Sequence, residues 1–272
     1  MTSPKDSPIG IFDSGIGGLT VVKSVMNTLP NENIIYFGDT ARVPYGIKSS
    51  DTIRQYASQI TDFLLKKNVK IILIACNSVA AAAREDIKKR CGNIPVLDVI
   101  EAGTKTALSQ SNGNRHIGVI GTLATIGSGA YEVSLRDLDK DIQVFSRACP
   151  LLVPLAEEGW YDNEIADEVL KKYLHDFRDK NLGALILGCT HYPLFKKAIN
   201  RILGEELTII DSADSLAEMT RNHLDTQKKR NNSTEKGTFE CFVSDKPQRF
   251  KLLAERFLGK KLNRVEIVNL GN

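Results

Sequence analysis

The stretch Ile71-Ile72-Leu73-Ile74-Ala75-Cys76-Asn77-Ser78 decides how the chain folds. Its apolar run lacks the polar alternation of a half-exposed strand, which predicts a short strand buried on both faces, as in a parallel sheet. The run stops at a cysteine followed by two small polar residues. Upstream, residues 50–67 carry Ile53, Ala57, Ile60 and Leu64 at helical spacing, and Asn68 separates that helix from the strand. Downstream, a second helical stretch leads to Pro95-Val96-Leu97-Asp98, a strand ending in aspartate.

The same order recurs in the second half. Residues 164–178 read as a helix, Asn181 follows, and Ala184-Leu185-Ile186-Leu187-Gly188 ends at Cys189. A further helix then leads to Thr208-Ile209-Ile210-Asp211. Each asparagine precedes its cysteine by eight residues and each aspartate follows it by 22. The halves also open alike, with Pro8-Ile9-Gly10-Ile11-Phe12-Asp13-Ser14 matched by Ile117-Gly118-Val119-Ile120-Gly121-Thr122. Any two strand–helix–strand units look similar, but the matched cysteine offsets point to an internal duplication. The expectation is an α/β protein of two pseudo-symmetric domains, with parallel sheets flanked by helices and an active site in the cleft between them. The first domain is expected over residues 1–98 plus 212–272 and the second over 99–211. In the tail, 225–238 reads as an exposed loop, and a strand, helix and strand over 239–268 complete the first sheet.

Composition narrows the function. A net charge of +3 over 272 residues, with basic residues scattered except at Lys228-Lys229-Arg230, lacks the footprint of a nucleic-acid binder. No apolar run approaches the ~20 residues of a membrane span, so a cytoplasmic location is expected. The five cysteines, at 76, 91, 149, 189 and 241, include no Cys-x-x-Cys pair. They read as free thiols rather than a disulfide or zinc framework, and no metal is expected. Trp160 and most other aromatics are expected in the core.

Ligands of open α/β sheets bind beyond the carboxyl ends of the strands. Asp13, Ser14, Cys76, Asn77, Ser78, Thr122, Cys189, Thr190 and His191 all fall there. Two strand-end thiols facing each other across a cleft suit inversion of an amino-acid centre, in which one face loses a proton and the other gains one. A helix N-terminus or nearby cation would lower the thiol pKa from about 8.5 toward neutrality. Backbone N–H groups and the hydroxyls of Ser14, Ser78, Thr122 and Thr190 could cradle a carboxylate. Asp13 and His191 are placed to assist Cys76 and Cys189. Taken singly, Asp13, Ser14, Asn77 and Ser78 could also be helix caps, and Pro44-Tyr45-Gly46 a turn. Gly15-Ile16-Gly17-Gly18 lacks the spacing of a dinucleotide fingerprint. Cys91, Cys149 and Cys241 have no counterparts in the repeat.

At these residues the chain resembles the glutamate racemases of the aspartate/glutamate racemase superfamily. The resemblance is carried by Gly10-Ile11-Phe12-Asp13-Ser14-Gly15-Ile16-Gly17-Gly18-Leu19 and Asp39-Thr40-Ala41-Arg42-Val43-Pro44-Tyr45-Gly46. It continues in Ala75-Cys76-Asn77-Ser78, Gly121-Thr122-Leu123-Ala124-Thr125, Glu157-Glu158-Gly159 and Leu187-Gly188-Cys189-Thr190-His191-Tyr192-Pro193. It implies a two-thiol mechanism with no cofactor, in which L-glutamate and D-glutamate are interconverted and D-glutamate is made for peptidoglycan. It implies further that Cys76 deprotonates D-glutamate and Cys189 L-glutamate, that Asp13 assists the first thiol, and that His191 with Glu157 assists the second. Substrate contacts would fall on Asp13, Ser14, Tyr45, Gly46, Asn77, Ser78, Thr122, Thr190 and His191. Position 78 is serine where the family usually has threonine, which keeps the hydroxyl and drops a methyl.

Three other functions compete. Aspartate racemases are similar but usually follow the second cysteine with Thr-Glu, where this chain has Thr190-His191. A non-catalytic amino-acid-binding protein would have no use for two strand-end thiols. A pyridoxal enzyme needs a lysine, and no repeat-equivalent strand end offers one. With eight residues before Ile9, activation by a cell-wall precursor is not expected. The sequence leaves oligomeric state open, and a homodimer is compatible with it.

Overall fold

The computed structural model describes residues 4–262 and 264–271; the ends of the expected first domain, at 1–3 and 272, and position 263 within it lie outside the described residues. Ten strands occur among the described residues: β1 Ile9–Asp13, β2 Ile34–Gly38, β3 Ile71–Ile74, β4 Val96–Asp98, β5 His116–Gly121, β6 Gln143–Ala148, β7 Ala184–Gly188, β8 Thr208–Asp211, β9 Phe239–Val243 and β10 Glu266–Ile267. They form two all-parallel sheets flanked by helices, ordered β10-β9-β2-β1-β3-β4 and β6-β5-β7-β8. The segment β2-β1-β3-β4 of the larger sheet has the same order as β6-β5-β7-β8, as a duplication requires. In both, the chain reverses its direction of growth at the central pair, β1/β3 in one and β5/β7 in the other. Such switch points open a crevice at the strands' carboxyl ends.

The landmarks of the repeat have local physical causes. Asn68 and Asn181 both adopt positive φ, at 56° and 44°, a left-handed conformation that asparagine tolerates better than most residues. They turn the chain out of a helix and into β3 or β7. Asp98 and Asp211 are N-caps. The Asp98 carboxylate accepts from the N–H groups of Ile100 and Glu101 at 2.9 and 3.0 Å, and that of Asp211 from Ala213 at 2.9 Å. These caps satisfy N–H groups that the first helical turn leaves unpaired.

Burial matches the apolar patterns. Every residue of β3 is fully buried, and helix Ser50–Lys66 buries Ile53, Ala57, Ile60 and Leu64. Ile117, Val119 and Ile186 of the smaller sheet join the core of the larger one, whereas Ile120, Leu185 and Leu187 pack with Leu170, Leu174 and Phe195 in a separate cluster. Alternate residues of one strand thus serve two cores. The tail extends the larger sheet through β9, helix Pro247–Leu258 and β10, as the sequence predicts. Two expectations need correction. The helix over 164–178 is α-helical only over Glu164–Leu174 and tightens to a 3-10 turn over His175–Phe177, a usual way of ending a helix. Trp160 is 48% exposed, just beyond the left-handed Gly159 that ends helix Leu152–Glu158, so it is a surface residue and not core.

Candidate active site

Cys76 follows β3 as the N-cap of helix Asn77–Cys91. Its thiol donates to Ser14 Oγ at 3.6 Å, and Ser14 immediately follows β1, the neighbouring strand. Asp13 lies below, 1% exposed, accepting the Gly15 N–H at 2.9 Å through one carboxylate oxygen, while the other has no partner among the described residues. Burial raises the Asp13 pKa, and the charge of His191 and three backbone N–H groups only partly oppose it.

Cys189 follows β7 at the equivalent position of the smaller sheet. Its Sγ lies 3.9 Å from His191 Nδ1, and His191 Nε2 lies 3.4 Å from Glu157 Oε1. The Phe257 ring, from the tail helix, packs against the His191 ring in a T-shaped arrangement, centroids 5.1 Å apart. Glu157 is held below its ordinary pKa by the hydrogen bond from His191, against a smaller contrary effect of burial. Its backbone carbonyl accepts from Arg256, and Gly159 leaves the room for that guanidinium, 3.1 Å from where a Cβ would stand. Glu158, the neighbour, is exposed.

The expected lowering of the thiol pKa values is not what the site does. Burial pushes Cys76 up to about 12, with the charge of Asp13 adding to it and outweighing the Val79 N–H at the helix terminus. Burial likewise raises Cys189; the His191 N–H opposes it, while the charges of Cys76, Asp13 and Glu157 add to it. Burial beside acidic side chains favours the neutral thiol.

Both thiols line one cavity of roughly 290 Å³ between the sheets. Ser14, Tyr45, Gly46, Asn77 and Ser78 line it from one side, and Thr122, Glu157, Thr190 and His191 from the other. Of the substrate contacts expected from sequence, Asp13 alone is not in the wall. Val43, Ile47, Leu123, Pro150, Val153 and Pro154, which sequence reasoning missed, supply apolar wall. Their signal was adjacency: most flank a motif residue or precede Glu157 by one helical turn. The Ser78 hydroxyl lies 3.1 Å from Thr122 Oγ1 and 3.4 Å from Thr125 Oγ1, so the serine joins the two halves through its hydroxyl alone.

The glycines explain how the halves approach so closely. A methyl on Gly17 would stand 2.2 Å from Thr190 Oγ1 and 2.6 Å from His191 Nδ1, and one on Gly46 would stand 2.8 Å from Thr122 Cβ. The glycine-rich loop after β1 is therefore a contact between the halves. Behind Tyr45, the buried Asp39 accepts from the Tyr45 hydroxyl, from Arg42 Nε at 2.7 Å and from Ser244 Oγ at 2.7 Å. Arg42 is stacked 4.1 Å over the Tyr56 ring. Asn77 Oδ1 accepts from Tyr131 OH at 2.6 Å.

A larger groove of about 690 Å³, lined by residues of mixed charge such as Arg84, Glu85, Lys105 and Asp137, holds no thiol. Among the described residues no group of three His, Cys, Asp or Glu side chains could hold a metal ion, and no helix is long and apolar enough to cross a membrane.

Residues 13–220 match the family described as Asp/Glu/Hydantoin racemase. The chain is 50% identical over 265 residues to the glutamate racemase of Chlorobaculum tepidum, covering 97% of each. It is 46% identical to that of Syntrophus aciditrophicus, covering 98% of each. The crystal structure of glutamate racemase from Francisella tularensis in complex with D-glutamate is similar at a TM-score of 0.92 and 43% identity, with 98% of both chains covered.

Proposed function

The chain belongs to the Asp/Glu/Hydantoin racemase family and is an isomerase matching its glutamate racemases over nearly their full length, and from that premise we propose that it inverts glutamate by a cofactor-independent, two-base proton transfer between Cys189 and Cys76. The observation that carries this reading is the pair of buried thiols at equivalent strand ends, lining one cavity from opposite halves. In the L-to-D direction the Cys189 thiolate takes the α-proton and becomes a thiol. The Cys76 thiol delivers its proton to the other face of the carbanion and becomes a thiolate. In the D-to-L direction the roles reverse. D-glutamate made in the cytoplasm would then serve peptidoglycan synthesis.

Two energetic obstacles shape the site. The α-proton is less acidic than a thiol by on the order of ten pK units, a mismatch of about 14 kcal/mol at ~1.36 kcal/mol per unit. A buried thiolate raised toward 12 is a stronger base than an ordinary one, which narrows that gap but makes the thiolate harder to form. The substrate's α-ammonium group supplies a cation to a pocket whose fixed charges are acidic, and so favours the thiolate once glutamate is bound. His191, hydrogen-bonded to Glu157, assists proton movement at Cys189, and Asp13 does so at Cys76. N–H groups at the start of helix Asn77–Cys91 and the hydroxyls of Ser78, Thr122 and Thr190 stabilise the carboxylate on which charge develops.

The test is the fate of the α-hydrogen in heavy water. Early D-glutamate formed from L-glutamate should carry deuterium, while unreacted L-glutamate remains nearly unlabelled, and the converse should hold from D-glutamate. Chiral chromatography with mass spectrometry reads both. Substantial unlabelled product would show a single base carrying the hydrogen from face to face and would overturn the two-thiol assignment.

A further inference from the structure

The His191 ring makes two long polar contacts. Nδ1 lies 3.9 Å from Cys189 Sγ, and Nε2 lies 3.4 Å from Glu157 Oε1. An N–H···O bond is at its best near ~2.9 Å, and rotation of an imidazole about χ2 is soft, so these contacts by themselves set the ring's orientation only loosely. Packing supplies the rest. A methyl on Gly17 would stand 2.6 Å from Nδ1 and 2.7 Å from Cε1, so that edge of the ring is closed, and the Phe257 ring meets the imidazole at an interplanar angle of 75°. His191 and Phe257 are both buried.

Phe257 belongs to the other half of the molecule. Helix Pro247–Leu258 carries Phe250, Ala254 and Phe257 at helical spacing, and all three join the core of the larger sheet. Phe250 roots the helix there, its ring centroid 6.3 Å from that of Tyr36 in β2, and a methyl on Gly38 would stand 3.2 Å from its Cε2. The last turn of the helix reaches across to the smaller-sheet half. Phe257 meets His191, and the neighbouring Arg256 donates to the backbone carbonyl of Glu157 near the end of helix Leu152–Glu158, where Gly159 makes room for the guanidinium. Consecutive residues of one helix therefore touch both members of the His191–Glu157 pair.

We infer that the tail helix positions the groups that assist proton transfer at Cys189: Phe257 sets the plane of the His191 ring between Cys189 and Glu157, and Arg256 fixes the backbone that carries Glu157. Neither residue lines the cavity that holds the thiols, so both act through the side chains they hold. They come from the half that carries Cys76, and the assistance given to one thiol is thereby set by the half that carries the other. The inference rests on the glutamate racemase reading given above.

Phe257→Leu keeps an apolar side chain and removes the ring contact. It should lower kcat for L-glutamate by about tenfold, a part of the ~10²-fold or more that a positioned acid–base group supplies. The fall in kcat for D-glutamate should be smaller, with KM shifting so that kcat/KM changes equally in both directions. In a His191→Asn background the same substitution should lower kcat no further, because no ring is left to orient, whereas a packing defect would act in both backgrounds. Arg256→Ala, at an exposed side chain, should keep the melting temperature and show the same bias toward L-glutamate at about threefold; it carries the test if Phe257→Leu does not fold. Unchanged kcat in both variants, kcat losses that match for the two enantiomers, or an equal fall with and without His191 would overturn the inference alone. A wild-type protein inert toward both enantiomers would overturn the underlying reading and this inference with it.

Discussion

The Tyr45 hydroxyl is hydrogen-bonded to the buried carboxylate of Asp39, so Tyr45 lines the cavity without a proton to offer a substrate. Tyr45→Phe should therefore leave kcat/KM within about threefold of wild type, a loss smaller than one hydrogen bond to a charged ligand would give. Asp39→Ala strips Arg42, Tyr45 and Ser244 of their shared acceptor and leaves a partly buried guanidinium without it. It should cost about 3–5 kcal/mol of stability and raise KM by loosening the 39–46 loop. Thermal melts and steady-state kinetics on the pair separate the effects, and a Tyr45→Phe defect as severe as that of Asp39→Ala would contradict the assignment.

Alanine at either Cys76 or Cys189 should abolish racemisation while the protein still folds, because in the proposed scheme each thiol acts once per inversion. Cys149→Ala and Cys241→Ala should remain active, since those thiols are buried outside the cavity. Near-normal turnover by Cys189→Ala would remove the chemical basis of the two-base scheme.

The two thiols have unlike neighbours, Asp13 beside one and His191 with Glu157 beside the other. Glu157→Gln should lower kcat more for L-glutamate, and Asp13→Asn more for D-glutamate, each by roughly a hundredfold in the affected direction. Since the equilibrium constant of a racemisation is one, kcat/KM must fall equally in both directions, and the asymmetry appears in kcat and KM taken separately. Polarimetric progress curves from each enantiomer provide both constants; kcat losses that match in the two directions would assign these side chains to structure alone.

Alkaline pH should weaken the fold. Burial pushes Cys76, Cys149 and Cys241 up to about 12 and Cys91 to about 11. An unfolded thiol ionises near ~8.5. Between those values the unfolded chain has lost protons that the native one keeps, so stability falls as pH rises. The contribution is complete below the unfolded thiol pKa and disappears as pH climbs toward the folded values. Melting temperature under reducing conditions should be flat near neutrality and decline above about pH 9, with a shallower decline in Cys149→Ala. A profile unaffected by that substitution would mean the thiol does not contribute.

Much of this was legible before any coordinates, and the reason is local. β3 and β7 announce themselves because a strand buried on both faces can carry no polar residue. Their cysteines stand out at the carboxyl end of each apolar run, Cys76 capping a helix that starts at the next residue and Cys189 leading into the 3-10 turn Tyr192–Phe195. The asparagine and aspartate landmarks marked the repeat correctly but are conformational, a left-handed turn and a helix cap in each half. β6 was not legible: its residues Gln143–Ala148 are exposed or half-buried at a sheet edge and lack an apolar run. The direction of the thiol pKa shifts was misread because helix termini can be seen in a sequence, whereas burial and the convergence of Asp13 and Glu157 on one cavity arise only from folding.

The contact of Gly17 with Thr190 and His191 also has a mechanical meaning. On that flank the halves touch with no space for a methyl group, and Thr20 Oγ1 reaches the Thr190 carbonyl at 3.4 Å. Sliding of one half past the other is blocked there. The opposite lip, where Gly46 meets Thr122 tightly as well, is bordered by Ile47 and Leu123, 70% and 51% exposed, and is apolar at its rim. The cavity is thus sealed on one flank by polar groups that also flank Cys189 and rimmed on the other by aliphatic side chains, so its mouth and its floor differ in kind.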